Sequence, residues 1–438
     1  MGNKATNANA NPPAGSQPAG GSLPRGWRVV ELRDLTTKFF SGGTPSTKRP
    51  EFWGGVIPWT TSAHITGLYL NEGAKHITYR GLEQSSAKMV PHGNLLIGTR
   101  VGVGKVAINS IDVAISQDLT AAIIDKSKVH IEFLAYVIQS AGVQDVIRSF
   151  TRGTTIRGIP RKDLMRLPIP LPPLPEQKRI AHILRTVQRA IEATDRVIAA
   201  THELKRSLMH HLFTYGPVPL DRVGEVKLKE TEIGLLPERW EVRRLGDLVE
   251  FASGQVDPRE LPYLRMVYIG PENIEGGTGR ILSCRTAEAL KLKSGKYLFT
   301  PEDVIYSKIR PYLRKVACPQ FTGICSADMY PLRPKKPLED RRFLFHLLLS
   351  DIFTRQATSY QQRTGIPKIN RQQLKSILVP LPSTAKEQRK ISDALDVIDR
   401  KIEAEERRKA ALQALFRTLL HRLIPPLPQV SRLREDGG

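Results

Sequence analysis

Several places in this sequence hold residue types from which chemistry is built, and none of them completes its pattern. Gly102-Val103-Gly104-Lys105 has the glycines and lysine of a phosphate-cradling loop. The first glycine such a loop needs falls on Thr99, and Val106 stands where a magnesium-binding Ser or Thr belongs, so a glycine-rich turn between strands is expected. His210-His211 lies in a helical stretch without a carboxylate at zinc-ligand spacing. Asn11-Pro12-Pro13 begins like the Asn-Pro-Pro-aromatic motif of amino-methyltransferases, but Ala14 follows where the ring belongs. Cys284, Cys318 and Cys325 have no metal-ligand spacing and, being odd in number, make no disulfide framework. No nucleophile and base can be paired, so no catalytic residue and no metal site is expected.

The basic loops carry more. Arg152, Thr154, Arg157, Arg161 and Lys162 gather around Thr151–Thr155, and Arg363, Thr364, Lys368 and Arg371 around Gln361–Gly365. Arg and Lys neutralise phosphates, and Arg can also read a base edge with both arms of its fork. Lys308, Arg310, Arg314 and Lys315 form a further cluster on a strand-turn-strand whose counterpart carries Arg100 and Lys105. Thr44, Ser46 and Lys48 follow a Gly42-Gly43 step and precede Trp53-Gly54-Gly55-Val56-Ile57-Pro58-Trp59, whose tryptophans are expected in a core. These residues are the candidate DNA contacts. The competing reading is a solvated charged surface, and the total charge weighs against it. Lys and Arg outnumber Asp and Glu by 66 to 43, a formal +23, which points to a polyanionic partner.

The elements that must position these loops come in two sets. Asn94–Ile97, Val113–Ile115, Ala121–Ile124 and Val304–Tyr306 read as strands, and Phe133–Phe150 and Arg342–Phe353 as helices. Leu167–Pro175 and Leu378–Pro382 are proline-rich stops that exclude helix. Apolar residues then return at alternating steps of four and three. Ile180, Leu184, Val187 and Ile191 open one series, and Ile391, Leu395, Ile398 and Ile402 the other, which predicts a coiled-coil seam. An amphipathic helix on its own domain is the alternative. Two seams of one length in one chain favour pairing with each other. The polar interruptions fall mid-seam in both, as an antiparallel pair requires. A helix over 180–212 would be roughly 50 Å long, more than one turn of duplex. Gly216-Pro217 and Pro425-Pro426 stop the two helices.

The chain repeats itself. Ile180 maps to Ile391 at an offset of 211, and Leu23-Pro24-Arg25-Gly26-Trp27 returns as Leu236-Pro237-Glu238-Arg239-Trp240 at 213. The middle of each half agrees least. The expected organisation is a disordered tail 1–22, a first globular domain 23–172, a central helix 173–214, a linker 215–235, a second domain 236–382, a C-terminal helix 383–425 and a tail 426–438. The fold class is α+β: two mixed α/β domains, each followed by a long helix. No run of about 18 apolar residues exists and no secretion signal opens the chain, so a cytoplasmic location is expected.

At this point the chain resembles the specificity subunits of Type I restriction–modification systems. The resemblance rests on the repeated Pro-Leu-Pro…Glu-Gln…Ile segment (Pro170–Ile180, Pro380–Ile391), the Leu-Pro…Trp starts, and SGGTPSTKRPEFWGGVIPW. It covers about residues 23–425. The second half has Ala252-Ser253-Gly254-Gln255 in place of Gly-Gly-Thr-Pro, so the halves should read different DNA words. The resemblance implies two target recognition domains reading a bipartite asymmetric site in double-stranded DNA. It implies no catalysis and no cofactor in this subunit. It also implies two methyltransferase subunits that modify adenine N6 with S-adenosylmethionine, and restriction subunits that use ATP and magnesium. Glu176, Gln177, Glu387, Gln388 and the opening seam residues are the candidate partner-docking surface. Two other readings stay open: a stand-alone sequence-specific DNA-binding regulator, and the specificity subunit of a methylation-only complex.

Overall fold

A computed structural model describes residues 23–152, 158–360 and 367–427. The chain divides into two compact units. Of the described residues, the first takes in those of 23–193 and 409–427, the second those of 194–408. No helix among the described residues is long and apolar enough to cross a membrane.

Each unit is layered in the same way. In the first, one sheet runs Thr36–Ser41, Leu119–Ile124, Leu95–Gly98, Val106–Asn109, Tyr69–Leu70 in spatial order. Leu95–Gly98 is buried at every position, because both of its faces are covered. Alternate residues point to opposite faces of a strand. Leu95 and Ile97 join a core with helix Ile131–Gln139, while Leu96 joins another with Val113, Ile115 and Ala121. The second unit repeats this with Val304 and Tyr306 against helix Arg341–Leu349 and Ile305 against Ile269, Phe299 and Cys325.

The facing sheets match as well, in the region where the sequences agree least. Lys75–Ile77, Trp53–Thr60, Val113–Ile115, Lys88–Val90 in one unit correspond to Arg285–Thr286, Val267–Ile269, Gly323–Cys325, Tyr297–Phe299 in the other. Each contains one parallel pair, Trp59 beside Ala114 and Tyr268 beside Ile324.

Three sequence expectations need correction. Phe133–Phe150 is two helices, Ile131–Gln139 and Ala141–Phe150, and Arg342–Phe353 falls across Arg341–Leu349 and Asp351–Ser359. The breaks lie at Ser140 and Ser350, whose extended backbones end one helix and start the next. The Ser350 hydroxyl accepts from the Phe353 N–H at 3.3 Å. Leu167–Pro175 is not wholly non-helical. Pro168–Leu171 is a strand paired with Arg28–Glu31, and the helix starts at Leu174 with Pro175 in its first turn, where a missing N–H costs nothing.

The long helices span Leu174–Tyr215 and Ala385–Leu423. The first stops at Gly216, whose φ of +82° favours glycine. In the first unit, Ile180 and Leu184 share a core with Phe416, Leu419, Leu420 and Leu423. In the second, Ile391 and Leu395 share one with Leu208, Met209, Leu212 and Phe213. Start meets end in both, which is the antiparallel arrangement. The polar seam positions Thr194, Thr201, Lys205 and Glu405 are buried, as the heptad register requires.

Candidate nucleic-acid interface

The site is a hairpin end tied to a segment remote in sequence, and it occurs once in each unit among the described residues. In the first unit the turn after Leu95–Gly98 carries Arg100 and Lys105. The Ile159 N–H donates to the Thr99 carbonyl at 2.9 Å, and Arg152 and Gly158 bridge each other across the base of the intervening loop. In the second unit the Ile369 N–H donates to the Lys308 carbonyl at 2.9 Å, and Ile309 bridges Lys368. Chain segments far apart in sequence are thereby tied to one sheet edge. Thr154, Arg157, Arg363 and Thr364 lie outside the described residues.

The Gly42-Gly43 step reaches the same edge in the first unit. A Cβ on Gly42 would lie 1.8 Å from the Ile115 carbonyl oxygen, and one on Gly43 would lie 2.4 Å from Ser86 Cβ, so side chains are excluded at both. The Trp59 indole N–H donates to the Gly43 carbonyl at 3.1 Å. Trp59 is core; Trp53 is half-buried, meets it edge-on at 5.3 Å and lies under Lys75. Thr44 donates to Gln117 at 2.5 Å, next to Asp118, whose carbonyl accepts from the Thr99 N–H. Thr44, Ser46, Lys48, Arg100, Arg152, Arg161 and Lys162 are all exposed.

In the second unit the edge is built on aromatic rings. Phe251 and Tyr330 meet edge-on at 5.8 Å. The Arg371 guanidinium lies 5.5 Å from both ring centres, Lys308 lies over Tyr330 and Lys375 over Phe251. Burial pushes the Tyr330 hydroxyl above its ordinary value, against the opposing charge of Arg371. Lys308 and Lys368 both approach Asp328, at 3.3 and 3.9 Å. Gln117, Phe251, Tyr330 and Lys375 are not singled out by the sequence, and Asp328 stands out there, at an offset of 210, as the repeat partner of Asp118 but not as part of an edge.

Some expected contacts are held by the chain itself. Lys308, Arg310, Arg314 and Lys315 do not form one cluster. Arg314 turns to Asp351 at 2.5 Å, and the Lys315 ammonium donates to the Pro271 carbonyl at 2.5 Å. Its counterpart Lys105 donates to the Ile65 carbonyl at 3.3 Å. Arg371 is half-buried and donates to the Ala252 carbonyl at 3.0 Å.

The expected partner-docking residues are likewise turned inward. Gln177 and Gln388 are each 1% exposed. Gln177 accepts from the His130 N–H at 2.8 Å and donates to the Pro172 carbonyl at 2.8 Å. Gln388 accepts from the Glu339 and Asp340 N–H groups and donates to the Pro337 carbonyl. Glu176 takes the Trp27 indole N–H at 3.1 Å, and Glu387 pairs with Arg239 at 2.5 Å. Ile180, Leu184, Ile391 and Leu395 belong to the cores of the domains that precede them; Ile191 and Ile402 are buried, and Val187 and Ile398 half-buried. These residues fasten each long helix to its domain.

The repeated architecture has a counterpart among known families. The family model described as Type I restriction modification DNA specificity domain matches this chain twice, over residues 24–200 and 237–414. The chain belongs to this family. Each match takes in one hairpin-and-loop edge and the first part of the helix that follows. Two relatives of this specificity-family chain are similar along most of their length. The Type I restriction enzyme EcoDI specificity subunit of Escherichia coli is 27% identical over 379 residues, covering 83% of this chain and 79% of the relative. The MjaVIII specificity subunit of Methanocaldococcus jannaschii is 26% identical over 425 residues, covering 94% and 95%. The crystal structure of a Type I restriction–modification S subunit from M. genitalium shares the fold, with a TM-score of 0.61 at 16% identity, over 94% of this chain and 99% of that one.

Proposed function

We infer that this chain is the specificity subunit of a Type I restriction–modification system and that it works by reading DNA. The observation that supports this best is the duplication of one edge. In each unit a strand-hairpin end is tied to a remote segment, through Ile159 in one and Ile369 in the other, beside exposed cations, inside two matches to a DNA specificity domain, on a chain of formal charge +23. We assign one half-site of a split, asymmetric DNA sequence to residues 23–172 and the other to 236–382. The edges differ in chemistry, with threonine, glutamine and exposed arginines on one and an aromatic platform under cations on the other, so the two words differ. Lys and Arg at the edges supply phosphate contacts, and the side chains among them supply the base readout.

The subunit contributes targeting; the reactions belong to its partners. Two methyltransferase subunits bring S-adenosylmethionine for adenine N6 modification, and restriction subunits bring ATP and magnesium. A twofold repeat suits two copies of one partner, since each copy needs an equivalent surface.

Long-read mapping of modified adenine in the native host, with and without this gene, tests the reading. A split motif whose methylation vanishes on deletion supports it and yields both half-sites. A methylation map unchanged by deletion, in a host where the methyltransferase subunit is expressed, counts against it and favours the stand-alone regulator.

A further inference from the structure

The turn that closes the second hairpin, Arg310-Pro311-Tyr312-Leu313-Arg314, is held in a costly conformation and presents apolar side chains to solvent. Arg310 and Arg314 have φ of +48°. Of the described non-glycine residues, only these two and Lys291 have positive φ. For a side chain with a Cβ that region is disfavoured and persists where the surroundings enforce it. The enforcement is visible from two directions. The Arg310 N–H donates to the Pro367 carbonyl at 2.7 Å, and the Gly277 N–H donates to the Arg314 carbonyl at 3.1 Å. A Cβ on Gly276 would lie 2.4 Å from the Leu313 carbonyl oxygen, so the supporting loop is glycine where it touches the turn. Arg314 is tethered to Asp351. The result is a rigid tip on which Tyr312 is 49% and Leu313 36% exposed.

The first unit has a turn at the corresponding place, with other side chains. Arg100 corresponds to Arg310 at the offset of 210, and Val101 beside it is 57% exposed. There Gly104 stands in place of Arg314 with φ of +83°, Gly102 in place of Tyr312 with φ of +59°, and Arg100 does not share the positive φ of Arg310, so that turn has another backbone course and places no side chain with a Cβ in the strained region.

We propose that the second tip is a wedge, with Tyr312 and Leu313 pressing against a base step of the half-site read by the second domain and Arg310 reaching the adjacent phosphate. This rests on the DNA-reading function proposed above. Exposed tyrosine and leucine on a preorganised turn, flanked by an arginine and close to Lys368, suit the partial unstacking by which apolar side chains kink a duplex. The occupant is a polyanion with stackable faces, which duplex DNA is. A target adenine must leave the stack to be modified, so distortion near the site also serves the chemistry. The valine in the first unit has no stacking face, so the two domains would deform their half-sites unequally.

Photo-crosslinking tests this with no half-site known in advance. The purified full chain is mixed with a randomised duplex carrying iododeoxyuridine in place of thymidine, irradiated, and the crosslinked peptides identified. The expected result is a crosslink within the peptide holding Tyr312, lost in Y312A and kept in Y312F, with melting temperature unchanged in both. Once mapping has supplied the half-sites, Y312A should bind the second-domain word roughly ten-fold more weakly, as loss of a base–aromatic stack implies, with no change for the first. Crosslinks elsewhere on the second edge but none at the tip, with Y312A binding like wild type, would overturn the wedge and leave the DNA reading standing. No crosslink anywhere on the chain would remove the DNA reading and the wedge with it.

Discussion

Arg185 on the first long helix reaches Glu132 at 3.0 Å, and the residues at the corresponding repeat positions, Asp396 and Arg342, meet at 2.9 Å with the charges exchanged. The repeat has kept the pair and reversed its polarity. Tyr69 also donates to Glu132, and burial together with that carboxylate pushes the Tyr69 hydroxyl up to about 12. The pair in each unit therefore fixes the helix to the helix beneath it, and either polarity serves. R185D should place two carboxylates together and lower stability by about 2 kcal/mol, between the values for exposed and buried pairs. E132R combined with R185D should recover at least half of that loss. A double variant no more stable than R185D, in urea unfolding of the full chain, would show that the pair is not what holds the helix there.

The helix-to-helix pair in the second unit is also ionic. Lys205 is buried and lies 2.6 Å from Asp399. Its repeat counterpart in the first unit, Phe416, lies 5.9 Å from Tyr136 in an apolar setting. F416K would replace a half-buried ring packed on that core with a flexible ammonium and should cost about 2–3 kcal/mol, through lost packing and a poorly solvated charge. K205M, which leaves the half-exposed Asp399 to water, should cost about 1–2 kcal/mol. If F416K were the milder of the two by thermal unfolding, the first seam would have to contain polar support that this structure lacks at Phe416.

Anchoring and partner docking by the repeated glutamines make different predictions. Gln177→Ala strips a partner from a partly buried N–H and a buried carbonyl, and Gln388→Ala does so for two partly buried N–H groups and a partly buried carbonyl. Unsatisfied buried groups cost about 1–3 kcal/mol each, so both variants should melt several degrees lower as isolated chains. Unchanged melting with lost assembly of the methyltransferase complex would restore the docking role.

Much of this fold was legible because the repeat and the heptad spacing are strong signals. The seam register held even through Thr194, Thr201, Lys205 and Glu405, since periodicity outweighs the polarity of single residues. The breaks at Ser140 and Ser350 were missed because a capping serine does not interrupt the apolar pattern on either side. The candidate DNA edge was legible only as a supply of cations. Which of them stay available depends on where carboxylates and carbonyls fall after folding, and Asp351 and the Pro271 carbonyl are remote in sequence from Arg314 and Lys315. The aromatic support under Arg371 was hidden for the same reason, as Phe251 and Tyr330 come from different strands.

Acid should loosen the second unit through Asp396. Burial by itself would raise this carboxyl, but the hydrogen bond with His346 and the pull of Arg342 outweigh it and hold the group below its ordinary value of 3.8. A carboxyl lowered in the native state binds its proton more weakly folded than unfolded. Its stabilisation is thus complete above the ordinary value and lost as pH falls through the lowered one. The stability difference between wild type and D396N should stay level from about pH 7 to pH 5 and shrink below about pH 4. A difference that persists unchanged into strong acid would mean that Asp396 acts through packing, not charge.

Modular reading predicts that a change at one edge leaves the other word untouched. Lys368 is exposed and only loosely approached by Asp328, which makes it an available cation of the second edge among those named from sequence. Lys368→Ala should weaken binding across sequences and lower the salt slope by about one phosphate contact. Its effect should appear when the second half-site is intact and vanish when that half is scrambled. Arg152→Ala should show the mirror behaviour with the first half-site. Equal losses for both variants whichever half is scrambled would mean that the edges do not act independently, and the assignment of one word to each domain would fall.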